Sequence, residues 1–564
     1  MVTSPAEQAR WLSALQGALQ EALPRLHQCP ADPLVGELVE ALTAALAEGC
    51  LAIPIPSEQH RQALLASPLG HPSEGPLVLE GDQLLWRRWQ QQRNQVLDTL
   101  IAMAQTPLPR SEGSTTGPHA ANPTPTPTKT VQRDRDQQRA VEAVLEHQLV
   151  LLEGGPGTGK TSTVAAMIAA VQAVEPACRI HLTAPTGKAT ARLRAALGAT
   201  NLPCSTLHRL LESRGDRFGR NRRHPLAVDL VVVDEVSMVD LGLMQALLEA
   251  LPSGGRLVLV GDSAQLPPVG AGAVLLELGE PDRRQQLGPA AIRLQTVYRN
   301  NGAIAAVAAT LNPFGKGPTN QATQATQATQ ASPADPGALL PDDTAALLAQ
   351  LSPSDNLRWL VAPRTGLPTP LLERLKEHQH QLQQQSQAAD LGDAEQAQTL
   401  LGALDHLLVL SPLRRGRWGV DAIHQALLGE ACLRGPEQWP LGTPVLCQRN
   451  LSDLGLANGD VGLVVAVNGQ RRLLFGIPGN PDPLLIHPAQ LADGLPALAL
   501  TVHKAQGSEA SEVWVLMPET GRPSQRLLYT ALTRAQHRAV VITPEGGLPS
   551  NAAGERVGAP TIPR

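Results

Sequence analysis

The stretch that decides the fold is Leu149-Val-Leu-Leu-Glu-Gly154-Gly155-Pro156-Gly157-Thr158-Gly159-Lys160-Thr161-Ser162. A continuous apolar run stops at a glycine-rich loop, and an apolar helical pattern begins at once behind it. Glycines let successive backbone N–H groups converge on phosphate oxygens, and a helix starting at the loop adds a dipole that favours anions. In that setting Lys160 reaches the β- and γ-phosphates, and the Thr161 hydroxyl takes a Mg²⁺ position. The motif sits in a strand–loop–helix frame, which a chance match rarely has.

A second apolar strand, Val231-Val-Val, ends in Asp234-Glu235. Asp234 is placed to share the Mg²⁺ with Thr161, and Glu235 to polarise an attacking water. The next strand ends in Gly261-Asp262-Ser-Ala-Gln265-Leu-Pro-Pro268, where Gln265 is positioned to sense a γ-phosphate. Together these segments predict nucleoside-triphosphate hydrolysis, with ATP and Mg²⁺ as the expected ligands.

Outward from this core, short Val/Leu-rich runs alternate with helical patterns: RIHLTAPT, DLVVVDE and RLVLVGD, then LLVLSPL, SEVWVLMP and RAVVITP. Apolar strands interleaved with helices predict an α/β fold with parallel sheets covered on both faces. There are two such sets, at 131–311 and at 346–545. The second is split into 346–428 and 497–545 by a Gly/Pro-punctuated stretch, 429–496, that reads as a small all-β insert; Asn458-Gly-Asp460 within it signals a tight turn. Residues 1–108 read as a mostly helical unit, with leucines from Leu12 to Leu26 and Leu34 to Leu46 at helical spacing, a hairpin-like LVLEGDQLLW, and a helix from Arg87. A Pro/Thr linker (109–130), a low-complexity QAT-repeat insert (312–345) and a tail (546–564) complete the chain. The basic stretch at about 213–226 reads as a short hairpin insert, with Phe218 the candidate for a wedge side chain.

The chain has 564 residues, 46 Lys+Arg against 51 Asp+Glu for a net charge of −5, and only 2% aromatic residues. That balance excludes a basic shell for non-specific DNA binding but leaves room for a local basic track. Few rings are available to stack bases, so any nucleic-acid grip must rest on phosphates. The six cysteines are scattered, without zinc or iron–sulfur spacing. No signal sequence or membrane-length apolar run is present, which points to the cytoplasm and to no membrane partner.

Further motifs narrow the use of the hydrolysis. LTAPTGKA, STLHRLL, DEVSMVD, Tyr298-Arg299, TVHKAQGSE and YTALTRA occur in this order from about residue 131 to 545. In spelling and order they resemble the motifs of superfamily-one DNA helicases, and most closely the RecD family, alpha subunits of exodeoxyribonuclease V. The resemblance implies two tandem RecA-like motor domains, an SH3-like barrel in the insert and an N-terminal docking domain. It implies that Gln137 reads adenine and Tyr298 stacks on it, that Glu509 holds the ribose, with Gly507 also in the nucleotide site, and that Arg299 and Arg534 reach the γ-phosphate from across the cleft. It further implies that Thr186, Lys188, Ser205, Thr206, His208, Thr501 and His503 line a single-strand DNA path, with Phe218 in a pin at the strand junction. Implied partners are DNA and RecB-like and RecC-like subunits, and the implied polarity is 5′→3′. A P-loop kinase or transporter would lack the Thr533-Arg534 and His503-Lys504-Ala-Gln506 segments. A stand-alone helicase of the same superfamily and a non-catalytic scaffold subunit remain as alternatives. No clustered acidic nuclease motif appears.

Overall fold

The computed structural model describes residues 5–108, 134–198, 202–215, 217–298, 302–312, 344, 347–348, 350–352, 354–477, 482–518, 524–545 and 555–556. The linker at 109–130, nearly all of the QAT insert and Arg299 lie outside the described residues.

The N-terminal unit opens with helices Pro5–Leu26 and Pro33–Ala47. Asp32 caps the second by accepting from Leu34 N at 2.8 Å and from Val35 N, with Pro33 at the first helical position, where its missing N–H costs nothing. Leu23, Val35, Leu38, Val39 and Leu42 form a local core with Leu77 and Leu84 of the predicted hairpin, Leu77–Glu80 against Gln83–Trp86. The helix Arg87–Gln105, however, belongs elsewhere. Its Val96, Leu97, Leu100 and Ala104 are buried in one cluster with Val231, Val233, Leu257, Leu259 and the helix Leu241–Ala250 of the first α/β lobe. The expected boundary at residue 108 therefore does not follow the packing, because this helix covers one face of the first sheet. Deleting residues 1–108 should leave an insoluble or unfolded first lobe, since each large buried side chain removed costs about 2–5 kcal/mol. Deletion of 1–86 should give a soluble protein with a cooperative thermal transition; circular dichroism melts of the two truncations check this.

The first lobe is a six-stranded, all-parallel sheet in the order Ala291–Leu294, Leu149–Gly154, Arg256–Gly261, Leu230–Val233, Ile180–Ala184, Cys204–Thr206. Leu149–Gly154, Leu230–Val233 and Arg256–Gly261 are buried throughout, as strands sandwiched by helices must be. The register pairs Gly261 with Glu153 and Leu259 with Val233. Gly154, Asp234 and Asp262 thus emerge together at the carboxyl edge, where open α/β sheets bind ligands.

The second lobe repeats the plan: a parallel sheet in the order Leu500–Thr501, Leu407–Ser411, Ala510–Leu516, Ala535–Pro544, Leu357–Ala362, Glu555–Arg556. Two residues of the expected tail are thus an edge strand. The insert is an antiparallel sheet of Leu484–Ile486, Gln470–Phe475, Val461–Val467, Pro444–Leu446 and Leu495–Pro496, with a core that includes Trp439, Val464 and Phe475. Among the described residues its two outer strands, Leu484–Ile486 and Leu495–Pro496, do not pair with each other. Its tight hairpin turn is Asn468-Gly469, at φ 52° and 74°, between Val461–Val467 and Gln470–Phe475. Asn458-Gly459 also forms the expected tight turn, the Asp460 N–H donating to the Ala457 carbonyl at 3.2 Å with Gly459 at φ 96°, and leads into the first of those strands.

Candidate active site between the two lobes

The glycine loop takes the conformation its composition predicts. Gly157 and Gly159 sit at φ 73° and 82°, and the helix Lys160–Val174 starts directly behind Gly159. A side chain at Gly154 would meet Thr158 Oγ1 at 2.5 Å, and Thr158 Oγ1 donates to the Gly155 carbonyl at 2.8 Å. Ser162 Oγ donates to the Gly159 carbonyl. Lys160 Nζ lies inside the loop, donating to the carbonyls of Gly154 (2.6 Å) and Gly155 (2.9 Å). Thr161 is half-buried in the first turn.

Asp234 is continuous with its strand, its N–H donating to the Thr183 carbonyl, and Oδ1 accepts from Glu235 N at 2.9 Å. Burial first, and the neighbouring Glu235 second, push its carboxyl up to about 6. Glu235 itself holds φ 51°, a left-handed backbone rare outside glycine and costly unless the surroundings enforce it. Among the described residues no group of three or more potential metal-binding side chains exists. An Mg²⁺ ion here would take most of its ligands from water and phosphate, which suits an ion reluctant to shed its waters.

On the other side of the loop, Gln137 is buried and shares a capping box with Asp134: Gln137 N donates to Asp134 Oδ1 at 2.8 Å, and Asp134 N to Gln137 Oε1. A side chain at Gly159 would meet the Gln137 amide nitrogen at 2.8 Å and the Tyr298 ring at 3.7 Å. Tyr298 is 56% exposed, yet its backbone N–H donates to the Gly157 carbonyl and its hydroxyl to Asp134 Oδ2, both at 2.8 Å. Gln137, Tyr298 and the glycine loop thus form one wall, with Asp134, which the sequence reading passed over, tying them together.

The second lobe closes the site through the helix Gln525–Leu532. Tyr529 Oη donates to Asp262 Oδ2 at 2.8 Å and stands 3.1 Å from where a Gly155 side chain would begin. Thr530 Oγ1 accepts from Leu266 N at 2.8 Å, Gln506 Nε2 donates to the Leu266 carbonyl at 2.9 Å, and Arg526 donates to the carbonyls of Ser263 and Gln265. Gln265 is buried, its Nε2 donates to Asp262 Oδ2 at 3.3 Å, and its Oε1 has no partner. Arg534, two per cent exposed, donates to the carbonyls of Thr530 (3.0 Å) and Ser508 (3.4 Å) and to Thr533 Oγ1. It faces the protein interior, not bulk solvent.

The expected DNA-path residues divide. Thr186 caps the helix Gly187–Leu197 through Ala189 N, and a side chain at Gly507 would meet Thr186 Oγ1 at 3.1 Å, so these two lie on one interlobe seam. Lys188 pairs with Asp405 at 3.1 Å. Ser205 bonds to His181, Thr206 caps Leu207–Leu210, and Thr501 Oγ1 accepts from Lys504 N. His208 and His503 are half-buried, and burial pushes both imidazoles down, leaving them neutral at pH 7. Glu509 pairs with Arg192 at 2.5 Å and accepts from Gln536. One expectation needs correction. Phe218 is not a projecting wedge: in the small hairpin of Ser213–Arg214 with Arg217–Phe218, its ring packs against the first-lobe core.

Comparison with known proteins fits this geometry. The family model of the AAA domain matches residues 137–271, and that of the UvrD-like helicase C-terminal domain matches 496–542. The RecBCD enzyme subunit RecD of Mycolicibacterium smegmatis is 36% identical over 514 residues, covering 86% of this chain and 82% of that protein. The same subunit of Mycobacterium tuberculosis H37Rv is 36% identical over 440 residues, covering 73% and 70%. The ATP-dependent RecD2 DNA helicase of Deinococcus radiodurans is 34% identical over 411 residues, covering 72% of this chain but 48% of that protein. With two matched motor lobes and identity sustained over most of both chains, this protein is a member of the RecD family of superfamily-one DNA helicases.

Proposed function

We propose that the chain hydrolyses ATP between its two lobes to drive 5′→3′ movement along single-stranded DNA, as the helicase subunit of a RecBCD-type exodeoxyribonuclease with RecB-like and RecC-like partners. The observation that carries this reading is the seating of the helix Gln525–Leu532 on the glycine loop and the Asp262 loop, through Tyr529–Asp262 and Thr530–Leu266. Any change in what Lys160 and Gln265 hold is then felt directly by the second lobe. The Gly154–Ser162 backbone would cradle phosphates, and Gln137 and Tyr298 would frame the adenine. Lys160, Arg534 and Arg299 would meet the γ-phosphoryl charge, Thr161 and Asp234 would hold Mg²⁺, and Glu235 would polarise the attacking water. Bound Mg²⁺ supplies neutralisation of the phosphate oxygens.

Thr186, Lys188, Ser205, Thr206, His208, Thr501 and His503 would hold the DNA backbone alternately as the lobes open and close. With so few aromatic side chains, that grip falls on phosphates, so single-strand affinity should drop at least tenfold between 50 and 200 mM salt, about the lower bound for a few phosphate contacts. The Arg-rich hairpin near Phe218 would keep separated strands apart through its charged edge. A cytoplasmic location suits the six cysteines, all free thiols. Among the described residues no helix is long and apolar enough to cross a membrane.

Forked duplexes with a single 5′ or 3′ tail test polarity, using the chain alone and with its partner subunits. Unwinding from the 5′ tail is expected; unwinding from the 3′ tail overturns the polarity. The stand-alone reading has support from the RecD2 likeness, but this chain spans under half of that helicase and most of the RecBCD subunit. Tyr298→Ala is expected to raise KM for ATP about tenfold with kcat nearly unchanged, the cost of one lost aromatic face. Steady-state hydrolysis at saturating DNA measures it.

A further inference from the structure

Tyr529 is two per cent exposed, and its hydroxyl is spent on a single first-lobe group, Asp262 Oδ2 at 2.8 Å. The same Oδ2 accepts from Gln265 Nε2 at 3.3 Å, while Asp262 Oδ1 accepts from Ala264 N at 3.0 Å. A carboxylate can only accept here, so the Gln265 side chain must present its amide nitrogen to Asp262 and turn its carbonyl oxygen away. That oxygen, Oε1, is buried without a partner. An unpaired buried acceptor is costly, and in a native structure it calls for an explanation, of which a catalytic role is one.

The Asp262 carboxylate is the pivot of this arrangement. It is fully enclosed, and burial raises its carboxyl, opposed mainly by Lys160 and then by the Tyr529 hydroxyl. Loss of the hydroxyl would leave Asp262 Oδ2 short of a donor and free to turn or take up a proton. Either change releases the Gln265 amide. The hydroxyl belongs to the second lobe, whereas Asp262 and Gln265 belong to the first, so the fixed amide exists only when the lobes are seated together.

We propose that Tyr529 is a positioning residue for ATP hydrolysis: its hydroxyl locks Asp262, and Asp262 in turn holds Gln265 with Oε1 free to accept a hydrogen bond from the attacking water. The chain of contacts makes lobe closure a condition for a correctly oriented Gln265. This rests on the proposed ATP site and adds to it the route by which the second lobe controls it.

The test is Tyr529→Phe in the full-length chain, which removes one oxygen and keeps the ring. Loss of one hydrogen bond to a buried carboxylate should lower kcat for DNA-stimulated ATP hydrolysis about tenfold, with KM for ATP within about twofold. In a Gln265→Ala background the same substitution should cause no further loss, because the group it positions is gone. An unchanged kcat, or a loss that multiplies with that of Gln265→Ala, overturns the proposal. If Tyr529→Phe lowers the thermal midpoint so far that the lobes separate, Asp262→Asn takes its place in the same cycle, with the same expected and overturning results. Failure of the ATP-site reading would show differently, as turnover that survives Lys160→Ala.

Discussion

Lys160→Ala is expected to abolish DNA-stimulated ATP hydrolysis, lowering kcat by about 10²–10³ or more, the range for losing one charge-stabilising donor at a reacting centre. The ammonium lies within the glycine loop, on the Gly154 and Gly155 carbonyls. It also opposes the upward shift of two buried acids, Asp234 and Asp262. Without it both carboxyls move further toward the neutral form, and a neutral Asp234 is a poor Mg²⁺ ligand. Folding should change little. The loop conformation is held by Thr158 Oγ1 on Gly155 and by the glycine backbone, and two hydrogen bonds from a half-exposed lysine are worth about 1–3 kcal/mol together. Hydrolysis measured with saturating single-stranded DNA, beside a thermal melt, gives the comparison. Undiminished turnover would remove the site from this loop.

Much of this site is legible in the residues because its chemistry is local. Glycine spacing, a lysine and a threonine within eight positions dictate a loop whose backbone must face phosphate, and the apolar strands on either side fix which edge of the sheet it occupies. The pattern VVVDE does the same for Asp234. What escapes the sequence is long-range. Tyr529 and Asp262 are 267 positions apart, and Leu266 and Thr530 are 264 apart. Neither pair leaves a periodicity, so the sequence offers the motifs without the bonds that join them. Phe218 fails for the opposite reason: a basic, Gly-punctuated run suggests an exposed hairpin, but its ring packs against the core that holds Leu207 and Leu211. The spacing from Arg87 predicts a helix, and Arg87–Gln105 is one, yet amphipathic spacing says that a face is buried, not against which neighbour. Its tie to the first lobe includes Gln92 on Gln245 and Gln105 on the Gln286 carbonyl, contacts of a kind no local rule anticipates.

Arg534→Lys is expected to lower kcat by about 10³ or more, the effect of losing an arginine that stabilises transferring phosphoryl charge, with nucleotide binding within a few-fold. The side chain is buried, and all three of its acceptors are neutral oxygens: Thr530 O, Ser508 O and Thr533 Oγ1. Among the described residues no carboxylate forms an ion pair with it. A guanidinium withdrawn from water without an anion is expensive, so the fold gains little by keeping it there. The arrangement makes sense for a cation that waits for an anionic ligand, and its helix neighbours Tyr529 and Thr530 already touch the first lobe at Asp262 and Leu266. Lysine keeps the charge but loses the planar fork, so it separates geometry from charge. A purely structural arginine predicts the reverse pattern: a lowered thermal midpoint, since the carbonyls of Thr530 and Ser508 would lose their donors, and a near-normal kcat for the protein that remains folded. Binding of a fluorescent nucleotide, single-turnover hydrolysis and a melt on the same preparation distinguish the two, and a folded Arg534→Lys protein that hydrolyses ATP at the parental rate would exclude this guanidinium from the chemistry.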